Sequence, residues 1–161
     1  MNTLILYYSY GGNTRQIVEH MQQKLGCDIC EIETKIPYTG GYDSVVSQGQ
    51  QEVEDGFEPE VKPLDKNISD YHTIIIGTPV WWYTYAPAVK TVLSSADWSG
   101  KTIYPFATNG GWIGHTFKDF EKACGGAAVK KGLNIRFDEH TLRTSLSEAD
   151  KWIDKIGQIE K

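Results

Sequence analysis

Apolar positions along the chain alternate between two kinds of run. Thr3 to Tyr8 is short, apolar and aromatic, and a glycine pair ends it soon after, which predicts a buried strand. From about Thr14 to Leu25, Ile17, Val18, Met21 and Leu25 fall at helical spacing, and Gly26 stops the run. Cys27 to Ile32 predicts a second strand. Strand, helix, strand in this order implies a parallel pair with a right-handed crossover. Residues 33–71 read as loop, helix, loop: Asp43 stands as the cap of a helix carrying Val45, Val46 and Val53 on one side.

The continuous β-branched run Thr73-Ile74-Ile75-Ile76, cut by Gly77, predicts a third strand covered on both faces. Thr78 to Tyr85 reads as a loop, and about Ala86 to Ala96 as a helix with Pro87 in its first turn. A fourth strand is expected over Lys101 to Thr108, a loop over Asn109 to Gly114, and a helix over His115 to Cys124 with Phe117 and Phe120 inward. Leu133 to Leu142 holds the fifth strand. Ser147 with Asp150 resembles a capping box, opening a last helix that buries Ala149, Trp152, Ile153 and Ile156. Alternating strands and helices predict a doubly wound α/β domain with a parallel sheet. Ligands of such sheets sit outside the carboxyl ends of the strands, at the switch point. The chemistry is therefore expected on the loops after strands one, three and four.

Bulk properties narrow the picture. The 161 residues suit one domain spanning the whole chain, with no repeat or composition shift to mark a second. A net charge of −5 argues against nucleic-acid binding, which normally needs a basic stripe. No run approaches a membrane span, and the apolar opening is too short for a signal peptide. Cys27, Cys30 and Cys124 form no disulfide framework, so a cytoplasmic location is the simplest expectation. Cys27 and Cys30 should face opposite sides of a strand, as core packing. The four histidines have no metal-ligand spacing.

Three loops carry candidate chemistry. In Ser9-Tyr10-Gly11-Gly12-Asn13-Thr14, two hydroxyls, two glycines and a helix N-terminus make a pocket for a phosphate dianion. Asn13 is a candidate helix cap, and Arg15 a candidate aid to the phosphate. An ordinary capped turn is the plainer alternative. Neither G-x-x-x-x-G-K-[ST] nor G-x-G-x-x-G is present here. In Thr78-Pro79-Val80-Trp81-Trp82-Tyr83-Thr84-Tyr85, clustered aromatics at a strand end call for cover, by a planar ligand or by a neighbouring surface. Adjacent Trp81 and Trp82 should point differently, one on a ring and one inward. In Thr108 to Gly114, bare amides and Trp112 can meet the polar edge of a ring, or form a plain glycine turn.

Leu6-Tyr7-Tyr8-Ser9-Tyr10-Gly11-Gly12-Asn13-Thr14 resembles the flavodoxin phosphate-loop signature. Gly77-Thr78-Pro79-Val80-Trp81-Trp82, Pro87-Ala88-Val89 and Phe106-Ala107-Thr108-Asn109-Gly110-Gly111 are similar to bacterial flavodoxin-like proteins, in the same order along nearly the whole chain. The resemblance implies a three-layer sandwich with a five-stranded parallel sheet of order 2-1-3-4-5, and non-covalently bound FMN. It implies Ser9, Gly11, Gly12, Asn13 and Thr14 on the FMN phosphate. Pro79, Val80, Trp81, Trp82 and Tyr83 would run along the isoalloxazine, and Thr108, Asn109, Gly110 and Gly111 would hold its polar edge and ribityl side. Tyr83 stands where close relatives often carry a glycine that lets a peptide flip on reduction, and the third loop has no acid. Both departures imply readier two-electron reduction and a modest yield of the one-electron-reduced flavin.

Other residues are weighed more simply. His115 is expected as a surface histidine at a helix start, with FMN contact or proton donation as the sharper reading. Tyr38 to Tyr42 is expected to fold over the flavin or a substrate pocket, and Glu52 to Glu60 to be a solvated face. Three functions follow. They are electron transfer between protein partners, an FMN-dependent NAD(P)H:quinone-type reductase, and a flavin-free binding module on the same fold.

Overall fold

The computed structural model describes residues 2–160. In chain order the elements are β1 (Thr3–Tyr7), α1 (Asn13–Leu25), β2 (Asp28–Glu31), α2 (Tyr42–Asp55), β3 (Thr73–Trp81), β4 (Thr84–Tyr85), α3 (Pro87–Ser95), β5 (Thr102–Asn109), α4 (Thr116–Ala123), β6 (Ala128–Val129), β7 (Leu133–Asp138), β8 (Thr141–Leu142) and α5 (Leu146–Glu160). The sheet runs β2-β1-β3-β5-β7-β8. The first five strands of that order pair parallel, which is the predicted doubly wound arrangement.

Burial divides by strand parity, as the two-residue period of a strand requires. Leu4, Leu6, Ile74 and Ile76 join Val89, Val92 and Phe120 on one face. Ile5, Tyr7, Ile75 and Phe106 join Ile17, Met21, Ile153 and Ile156 on the other. The sheet is thus the middle of three layers, with α3 and α4 on one side and α1 and α5 on the other. Cys30 lies in the first cluster and Cys27 in the second, so the pair straddles the sheet. Gly77 sits opposite Phe106 in register, and a Cβ at Gly77 would strike the Phe106 ring. No helix among the described residues is long and apolar enough to cross a membrane.

Several expectations are corrected. The sheet carries short extra strands: β4 turns back on β3, β8 turns back on β7, and β6 pairs with β5. The expected loop 78–85 is therefore the end of a strand plus a hairpin. Gly41, not Asp43, precedes α2 as its cap. For α5 the capping oxygen is Ser145 Oγ, which accepts from the Glu148 N–H at 3.2 Å, not Ser147. Asp150 instead accepts from His20 Nε2 at 2.6 Å and lies 3.7 Å from Lys24 Nζ, joining α5 to α1.

Candidate functional site

β1, β3 and β5 end side by side, and the segments after them form one edge of the sheet. Tyr8 N–H donates to Gly77 O, and Pro79 is in register with Thr108. The three segments singled out in the sequence therefore meet.

The turn before α1 is built by glycine. Gly11 and Gly12 have φ of 84° and 99°, a region that L-residues reach only with strain. A Cβ at either would meet nothing within 4 Å, so their peptide faces open space. Ser9 Oγ accepts from the Arg15 N–H at 3.2 Å. Among the described residues, the peptide N–H groups of Gly11, Gly12, Asn13 and Thr14 have no protein acceptor. A helix N-terminus with several converging free donors suits an anion.

Side chains around this turn differ in part from expectation. Asn13 is not the cap; Gly12 is, and Asn13 is the first helical residue. Its Nδ2 donates to Glu139 O at 2.7 Å, and its Oδ1 lies 3.0 Å from His140 Nδ1. The β7–β8 turn thus leans on the turn before α1, a contact across 127 positions that no local pattern signals. Thr14 is buried, and its hydroxyl shares a 2.8 Å hydrogen bond with that of Thr108, tying α1 to the end of β5. Arg15 pairs with Glu31 of β2.

The adjacent tryptophans face opposite ways. Trp81 turns inward, edge-on to Tyr8, Tyr10 and Tyr38 at centroid distances of 6.0, 5.8 and 5.0 Å, over Gly49 of α2. Trp82 turns outward at 37% exposure, its Nε1–H donating to Val46 O at 3.2 Å. Tyr83 is 48% and Trp112 67% exposed. A cleft of about 370 Å³ lies between the two loops, walled by Val80, Trp82, Tyr83, Asn109, Gly110 and Trp112. Of the expected ring contacts, Pro79, Trp81, Thr108 and Gly111 lie outside its wall. Asn109 shapes its own loop: Oδ1 accepts from the Gly111 N–H, and Nδ2 donates to Asn134. Gly111 packs near Arg136.

Behind Trp82 a second cavity of about 250 Å³ is lined by Tyr10, Tyr42, Val45, Val46, Gly49, Val80 and Trp81 as well as Trp82 itself. Tyr38 packs on Trp81 rather than over the cleft, and its hydroxyl donates to Glu52 Oε1 at 2.6 Å. Glu52 is thereby 9% exposed, not part of a solvated face. Burial and that carboxylate both push the Tyr38 phenol up.

These features test FMN by shape and chemistry. A dianion would use the free donors of the turn, and a flat ring would cover the exposed aromatics. The residues fit the group, and the protein class so defined is a doubly wound, nucleotide-type flavin binder. The chain belongs to the flavodoxin family, whose profile matches residues 2–156.

Among solved structures, a Bacteroides eggerthii chain designated a flavoprotein is 28% identical, with TM-score 0.80 over 96% of this chain and 97% of that one. The Lactobacillus acidophilus flavoprotein in complex with FMN is 26% identical, with TM-score 0.73 over 94% and 97%. The Fusobacterium nucleatum flavodoxin bound to flavin mononucleotide, at 14% identity and TM-score 0.55 over 98% of both chains, shares the fold. A comparison with curated proteins gives no match.

Proposed function

We propose that this chain is an FMN-dependent electron carrier that passes electrons between protein partners. FMN is its cofactor. The observation that carries the reading is the pairing of free peptide donors at Gly11 to Thr14 with an aromatic cleft at the same sheet edge. When bound, FMN supplies reversible uptake and release of electrons at its ring.

The chain supplies the rest. The α1 turn would hold the phosphate with neutral donors and the helix dipole. Trp82 and Trp112 would shield the ring from water, and the backbone at Gly110 would meet its polar edge. Trp112, at 67% exposure, leaves an edge open to a docking partner. The relative named as an FMN complex supports the cofactor, and the family supports electron transfer.

One observation favours a second reading. The apolar cavity behind Trp82 offers room for a small organic acceptor, as an NAD(P)H:quinone-type reductase needs. Anaerobic mixing of FMN-loaded protein with NADPH, then a quinone, separates the two. A carrier oxidises NADPH only when a reductase is added, whereas turnover by the chain alone would replace the carrier reading with the reductase. Protein that takes up no flavin would leave the binding module.

A further inference from the structure

The turn Trp82–Tyr83 is a two-residue hairpin between β3 and β4, and both its residues have positive φ, 49° and 73°. Hairpins of this shape normally use Asn or Gly there. Bulky residues in that region are strained and persist only where surrounding contacts hold them.

Those contacts come from the end of the loop that carries the opposite wall of the cleft, and from the start of α4. Tyr83 O accepts from the His115 N–H at 2.8 Å. Gly114 lies flat on the same peptide: a Cβ there would stand 2.5 Å from Tyr83 Cα and 2.7 Å from its carbonyl carbon. Beside them, Asp119 Oδ2 accepts from Thr84 Oγ1 at 2.5 Å and lies 2.5 Å from His115 Nδ1. Thr84 belongs to the hairpin, and His115 and Asp119 to the start of α4.

The plainer role for Asp119 is local capping of α4. Asp119 stands four residues after the cap residue, one beyond the position from which a capping-box acid reaches back to the cap N–H. Here His115 is the cap residue, yet its N–H goes to Tyr83 and the carboxylate goes to Thr84. His115 makes no side-chain cap bond either. The Asp119 carboxylate thus bridges the His115 ring at the start of α4 and the Thr84 hydroxyl of the hairpin, while the His115 N–H is turned onto Tyr83.

We propose that Thr84, Asp119, His115 and Gly114 form a clamp that locks the Trp82–Tyr83 turn to the 109–115 loop and so sets how tightly the cleft holds flavin. None of the four lines the cleft wall; they are positioning residues. The clamp makes the two walls one rigid body, so less ordering is left to accompany binding. The inference rests on the FMN reading above.

The test compares FMN affinity, FMN dissociation rate, the visible circular dichroism of bound FMN and apoprotein melting. Thr84→Val keeps the shape and removes the hydroxyl; Thr84→Ser keeps the hydroxyl. The expected result is a Kd about tenfold weaker for Thr84→Val, as for a lost charged hydrogen bond. Its off-rate should be faster and its flavin dichroism altered, while Thr84→Ser stays within about twofold, well under one such bond. Gly114→Ala should weaken binding in the same direction, through the Tyr83 peptide. A merely structural role would lower apoprotein melting and leave Kd and dichroism unmoved. That outcome in Thr84→Val, a near-isostere, overturns the clamp even if Gly114→Ala does not fold. Wild-type protein without FMN uptake would instead remove the cofactor assignment on which the clamp depends.

Discussion

Trp81 and Trp82 are neighbours of one type with opposite work. Trp81 closes the aromatic cluster beneath α2, so Trp81→Ala should lower unfolding free energy by about 3 kcal/mol, at the low end for a large aromatic because it is only half-buried. Trp82 stands at the cleft, so Trp82→Ala should leave stability within about 1 kcal/mol and cost FMN affinity instead. Denaturant melts of apoprotein and flavin titrations of both variants check the split; equal losses in both assays for both variants would contradict it. The cysteines are the quiet counterpart. Burial pushes the Cys27 and Cys30 thiols to about 11 and Cys124 to about 12. Native protein should therefore resist thiol labelling at neutral pH and react only on unfolding. At this scale the sequence was readable where chemistry is local. The glycine turn needs positive φ, and Gly11-Gly12 announces it. Asn13 and Glu52 were misread because their partners, Glu139 with His140 and Tyr38, are brought in by the fold.

At the scale of elements, long apolar runs declared themselves and short antiparallel additions did not. Ile74 to Ile76 has the continuous apolar pattern of a two-sided strand. The β3–β4 hairpin was hidden because Trp82 and Tyr83 are not turn residues, and contacts from Val46 of α2 and from His115 at the start of α4 hold them there. The α1–α5 seam gives a test of pH dependence. The His20 hydrogen bond, with Lys24 adding to it, holds the Asp150 carboxyl below its usual range, against a smaller opposing effect of desolvation. A depressed carboxylate contributes stability that is fully present above the unfolded value, about 3.9, and is lost as pH falls through the lower folded value. Melting temperature should therefore fall on acidification through that window, and the part due to this seam should vanish in Asp150→Asn. A variant with an unchanged acid slope would show that the seam does not carry it.

For the whole molecule, the doubly wound sheet places three loops on one edge, and the function is a property of that convergence. No single loop specified it; Thr14 meeting Thr108, and Tyr83 meeting His115, happen only in the folded chain. Because FMN binds the native state alone, its presence at about 100 times Kd should raise unfolding free energy by about 2.7 kcal/mol. The tyrosine at position 83, held at φ 73° by the 109–115 loop, leaves its peptide little freedom to turn over. An anaerobic reductive titration should accordingly pass mainly to the fully reduced flavin, with little one-electron form; near-quantitative accumulation of that form would contradict this.

The most direct measurement is a fluorescence titration of the apoprotein with FMN and, in parallel, with riboflavin, which has the same ring and no phosphate. FMN should be quenched at one per chain and bind at least about tenfold more tightly than riboflavin, because free peptide donors at Gly11 to Thr14 grip the dianion. Equal affinity for the two, or no quenching by either, would contradict the phosphate-anchored flavin site on which everything else is built.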